Sequence, residues 1–91
     1  MVTLSTKLVF HLPHSHSLKD KRKVRRSIVE RTKHRFNVSI AEVDTQDVLQ
    51  TLTIGLAVVS GEHYHAKESM EEILRFIEEH IDAELITIEH E

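Results

Sequence analysis

The apolar residues of this chain change period along its length, and that change marks out its elements. From Val2 to Leu12 they recur every second position. Val2, Leu4, Thr6, Leu8, Phe10 and Leu12 fall on one side, and Thr3, Ser5, Lys7, Val9 and His11 on the other. A period of two is that of a strand with one buried face, and Pro13 cannot continue its ladder. Ser17 to Asp20 then reads as a helix start. The Ser17 hydroxyl is expected to accept from the Asp20 amide, and the Asp20 carboxylate to reach back to the Ser17 amide. The helix runs to about His34. At 100° per residue, Leu18, Val24, Ile28, Val29, Thr32 and Phe36 share one arc, and Lys19, Arg22, Lys23, Arg26 and Lys33 form a stripe on the solvent side. Arg25 lies inside the apolar arc, where its stem can pack while its guanidinium reaches out.

A second strand is expected from Phe36 to Val43. Its inward parity shifts from Val38 and Ile40 to Ala41 and Val43, which suggests a bulge. A polar loop from Asp44 to Gln50 precedes a third alternating run, Leu52, Ile54, Leu56 and Val58, with Gly55 on its other face. After the Ser60-Gly61 turn, Ala66, Met70, Ile73, Leu74, Ile77 and Ile81 give a helical stripe opposite Glu68, Glu71, Glu72, Glu78 and Glu79. Leu85 to Ile88 is a short last strand. The order β-α-β-β-α-β, under the right-handed crossover rule, puts two helices on one face of a four-stranded antiparallel sheet, the α+β architecture called ferredoxin-like. The first and third strands are expected at its centre. Residues 1–91 make one domain at this length, with no linker, repeat or low-complexity stretch.

Charge sharpens the picture of the first helix. Between Lys19 and Arg35 stand nine basic residues and only two acidic ones, whereas the rest of the chain holds three basic and thirteen acidic residues. A split of this size within one domain points to a surface for a polyanion or to self-complementary surfaces. Composition also removes several classes of chemistry. The chain has no cysteine, so a disulfide scaffold, a thiol nucleophile and a cysteine-ligated metal are excluded. The first residues alternate rather than form an apolar run, and no stretch reaches the length of a membrane span, so the expected location is cytoplasmic, with no membrane partner.

The run His16-Ser-Leu-Lys-Asp-Lys-Arg22, the run Arg35-Phe-Asn-Val-Ser-Ile-Ala-Glu-Val43, and Gln46-Asp47 resemble the YlxP-like family of small bacterial proteins (domain of unknown function 503). The resemblance extends over essentially the whole chain. It implies a ferredoxin-like fold and no established activity. The family's genes often lie beside translation-initiation and ribosome-maturation genes, which implies a connection to the ribosome or RNA. Arg25 departs from the pattern, since members usually carry an aliphatic residue there.

From these readings come the candidate sites. Lys19, Lys21, Arg22, Lys23, Arg25, Arg26 and Lys33 are expected to neutralise phosphates, with RNA or the ribosome as partner. The alternative is a solvated helix whose charges pair with the acidic second helix. The open sheet face carries no aromatic, so the base stacking of RNA-recognition motifs is not expected there. Val9, Val43, Ala57 and Val59 on that face suit a second subunit, giving a homo-oligomer. A small-ligand regulatory module is a third reading by fold analogy. The pairs His14/His16 and His63/His65 are expected to be solvated rather than metal ligands, and Glu42, Asp44 and Asp47 to serve the turn and solubility. With no phosphate-binding loop, nucleophile elbow or dinucleotide fingerprint, no catalytic residue and no cofactor are expected.

Overall fold

The computed structural model describes all 91 residues. The elements are β1 (Val2–His11), α1 (Leu18–Arg35), β2 (Ser39–Glu42), β3 (Thr51–Ser60), α2 (His63–His80) and β4 (Glu84–His90). They form one four-stranded sheet in the order β2-β3-β1-β4, with every pairing antiparallel. The two expected central strands are central, and they pair in unbroken register from Val2↔Ser60 to His11↔Thr51. Strands β2 and β4 are the edges.

Alternation decides which side of the sheet is covered. Leu8, Phe10 and Leu12 from β1, Leu52, Ile54, Leu56 and Val58 from β3, and Ile40 from β2 are buried in one cluster. Ile28 of α1 and Ala66, Met70, Ile73 and Ile77 of α2 complete it. Both helices therefore lie on that face. Each large side chain so removed from water contributes on the order of 1.5–3 kcal/mol before the entropy cost of ordering it. The partly buried rim includes Val24, Val29, Phe36, Leu74 and Ile81, so both expected helical stripes face inward.

Helix α1 starts as its sequence requires. Ser17 is the N-cap, with the Asp20 amide donating to its hydroxyl at 3.1 Å. The return bond differs from expectation. The Asp20 carboxylate accepts from the His16 amide at 3.0 Å, one residue earlier than Ser17. That bond, chiefly, holds the Asp20 carboxyl below its ordinary range. At its other end α1 packs on α2 through aromatic contacts. The Phe36 and Phe76 rings meet edge to face at 5.4 Å, and the Arg35 guanidinium lies over both.

Two local expectations are corrected. Strand β2 is shorter than Phe36–Val43 and has no bulge; Ser39 to Glu42 pair regularly with β3. The register irregularity falls instead between β1 and β4, at Val9/Phe10. Without a bulge in β2, Ala41 and Val43 stay on the open face, and the inward position after Ile40 belongs to Glu42. On the open face Val43 packs over Gly55, where a Cβ would meet a Val43 methyl at 3.2 Å. Thr53, which alternates with the core residues Leu52 and Ile54 and so points to the open face, is nevertheless buried because the β2–β3 loop folds back over it. The Thr45 hydroxyl lies 2.8 Å from that of Thr53, and the Val43 amide donates to the Thr53 carbonyl.

Candidate nucleic-acid interface on the first helix

Helix α1 carries two populations of basic side chains, separated by burial. The first turns inward at the end of the sheet where the β1–α1 and β2–β3 loops meet. Lys21 is 2% exposed, and it occupies the stripe position one heptad before Ile28. Its ammonium donates to the carbonyls of Thr45 and Val48, the latter at 2.8 Å, with the Gln46 carbonyl at 3.4 Å. Glu42 supplies the counter-charge, its Oε2 2.8 Å from the ammonium and its side chain 6% exposed. That contact lacks hydrogen-bond geometry, so it is ionic. The other oxygen of Glu42 accepts from Arg25 at 3.2 Å. A charge this deep is tolerable only when paired and hydrogen-bonded. Here one ammonium gathers a loop, a strand and a helix.

Lys21 therefore drops out of the phosphate-contacting set. It is sealed from solvent and its donors are engaged. Arg25, whose role the sequence leaves open, is a packed and paired residue that remains about one-third exposed. Glu42, expected to serve the turn, is an interior counter-ion. The signal for both was present in the sequence. Glu42 is in phase with Ile40, and Lys21 is in phase with Ile28, although a charged residue ordinarily indicates a solvent position.

The second population points outward. Lys19, Arg22, Lys23, Arg26 and Lys33 are all exposed, as is Arg31. None of the six belongs to an ion pair. The acidic residues of α2 do not reach across to neutralise them. Arg25, Arg26 and Lys33, together with Glu30, Glu42 and Gln46 and the apolar Val29 and Ile40, line a groove of about 450 Å³ between α1 and β2. The remaining β2–β3 loop charges are local: Asp44 pairs with Lys7 at 2.8 Å and raises the Lys7 pKa through that hydrogen bond.

The other candidates are distributed as follows. His14 and His16 precede α1, whereas His63 and His65 open α2, and the strand order sets these connections at opposite ends of the sheet. No group of three or more histidine and carboxylate side chains is placed to hold a metal ion. Of the open-face residues Val9, Val43, Ala57 and Val59, only Val59 is largely exposed, at 67%; the others are half-buried. A cleft of about 300 Å³ with Leu4, Met70 and Leu74 in its wall separates α2 from the β1–β4 edge. No helix is long and apolar enough to cross a membrane.

The sheet order and the helices packed on one face define the ferredoxin-like class. Among solved structures, the solution NMR structure of the de novo designed protein LFR1 1, which has a ferredoxin fold, aligns with all of this chain and 84% of its own at a TM-score of 0.60 and 17% identity. The designed protein Ferredog-Diesel aligns with 97% of this chain and 84% of its own, with a TM-score of 0.47 and 16% identity. Within that class the chain belongs to the family described as "Protein of unknown function (DUF503)", which matches residues 3–90. The uncharacterized protein YlxP of Bacillus subtilis is 39% identical over 62 residues, spanning 68% of this chain and 67% of that protein.

Proposed function

We propose that the protein is a non-enzymatic accessory factor that binds the phosphate backbone of RNA, in the ribosome or on its way into it, through the outer face of α1. The observation that carries this reading is the set of exposed basic side chains without a single acidic partner. If α1 were only the solvated neighbour of an acidic helix, some of these cations would be paired to α2. Contacts are expected from Lys19, Arg22, Lys23, Arg26 and Lys33. Arg25 contributes at the groove edge, and Lys21, sealed beneath, makes no phosphate contact. Binding of this kind positions a backbone and does not read bases. The genomic company implied by the family resemblance points the same way. The test is binding of purified protein to ribosomal RNA across a salt series, alongside Arg22→Glu/Arg26→Glu. The reading predicts binding that weakens with salt and is lost in the double variant. No binding at low salt would refute it.

A further inference from the structure

The basic surface of α1 does not stop at Lys33. Arg31, Lys33, His34 and Arg35 are all exposed near the end of the helix. At the helical repeat they circle its outer half. Lys33 lies on the flank toward β2, His34 and Arg31 lie between, and Arg35 lies on the flank toward α2. Arg35, like Arg31 and Lys33, has no acidic partner.

There the cations meet a hollow of about 360 Å³ between the end of α1 and α2, with Phe36 and Phe76 in its wall. The His80 imidazole stacks on the Phe76 ring, with centres 4.2 Å apart and 26° between the planes. The Arg35 guanidinium stands 5.5 Å from the centre of the same ring. His80 is fixed a second time. Its Nδ1–H donates to the Phe76 carbonyl, one turn back on α2, at 2.7 Å. A flat side chain that is exposed yet held in one orientation has already given up the rotamer freedom that binding would otherwise cost. One face of the imidazole is turned to Phe76, which leaves the other for a ligand.

Charge around the hollow selects that ligand. Two guanidinium groups, Arg35 and Arg75, stand beside two carboxylates, Glu72 and Glu79. The charges balance, so the hollow has no net attraction for a phosphate. It offers flat groups to stack on and carboxylates that accept from N–H donors. A nucleobase freed from pairing presents both a flat face and N–H donors on its edge.

We propose that the hollow of Phe36, Phe76, Arg35 and His80 holds one unpaired base of the RNA whose backbone lies on α1. The inference rests on the RNA-binding reading and extends it from the backbone to a strand with free bases. The base stacks on the open face of His80, and Arg31 and Lys33 hold the flanking phosphates. Every base has such a face, so the site takes single strands without selecting a sequence.

The test uses two short single-stranded oligoribonucleotides of equal length, one of mixed sequence and one abasic at every position, each across a salt series. Wild type is expected to bind the strand with bases about tenfold more tightly than the abasic strand. The salt slopes of the two are expected to be equal, because stacking neutralises no phosphate. His80→Ala is expected to remove most of the tenfold difference and to leave affinity for the abasic strand unchanged. Phe76→Leu keeps an apolar side chain at the rim of the core and is expected to act in the same way, through loss of the ring beneath His80; thermal melts check its fold. Equal affinity of wild type for the two strands overturns the stacked base and leaves backbone binding in place, as does a His80→Ala variant that keeps the whole difference. No binding of either strand at low salt removes the RNA reading itself, and the stacked base with it.

Discussion

Lys21 and Arg22 are neighbours on one helix with the same formal charge, and they serve opposite ends. Lys21 is buried, and its ammonium is enclosed by loop carbonyls and the Glu42 carboxylate. Arg22 is exposed and has no acidic partner. The inner face of α1 spends its charge on architecture, fixing the β2–β3 loop against the sheet. The outer face leaves its charge available. Residue type alone does not separate the two roles; position on the helix does.

The largest way to break the contrast is Lys21→Ala. It leaves Glu42 buried without its main counter-charge and frees the loop carbonyls. Urea unfolding should show a loss of about 3–5 kcal/mol, a large fraction of what a domain this small holds. Replacing both charges, Lys21→Met with Glu42→Leu, should recover most of that loss, because an apolar pair of similar volume removes the desolvation penalty together with the attraction. If the double variant is as unstable as Lys21→Ala, the cluster acts through loop geometry rather than through pairing. A step smaller is Ser17→Ala, which removes the cap on the Asp20 amide and should cost about 1 kcal/mol in the same assay.

The smallest effect is on pH dependence. The folded Asp20 carboxyl is held below its ordinary value by the His16 amide, so its contribution is present above the unfolded-state pKa and is lost as pH falls through the folded value. Asp20→Asn should therefore lower stability modestly at neutral pH, leave it nearly unchanged below the folded pKa, and so flatten the acid limb of the profile. A loss of the same size at acid and at neutral pH would show that the ionised carboxylate is not what stabilises the helix start.

These contrasts also show how much of the molecule could be read beforehand. The period-two runs of β1 and β3 and the stripe of α2 set the element order and the sheet centre, because a strand with one buried face leaves a strong signal. The cap at Ser17 was legible for the same local reason. The β2 segment was not, because apolar residues occupy both of its faces. Val43 covers Gly55 on the open side, while the inward position goes to a carboxylate. Periodicity read through hydropathy alone therefore suggested a bulge where an ion pair stands. Lys21 stands at the helical phase of Ile28, which marks it as inward, but its partners are backbone carbonyls of a loop some 25 residues away, which no pattern of side chains announces. The exposed stripe of α1 was legible as a stripe. That its cations stand unpaired is a fact of tertiary structure.

The central claim is that the outer face of α1 binds a phosphate backbone while its inner face holds the fold. The most direct measurement is the slope of log affinity for ribosomal RNA against log salt, for wild type, Arg22→Glu/Arg26→Glu and Lys21→Met/Glu42→Leu. Five backbone contacts give a slope of about −3.5 to −4.5. The account predicts that slope for wild type, little change in the interior double variant, and weak, salt-insensitive binding in the surface variant with its stability within about 0.5 kcal/mol of wild type. Binding that survives Arg22→Glu/Arg26→Glu with its slope intact, or no binding by the wild type, would contradict it.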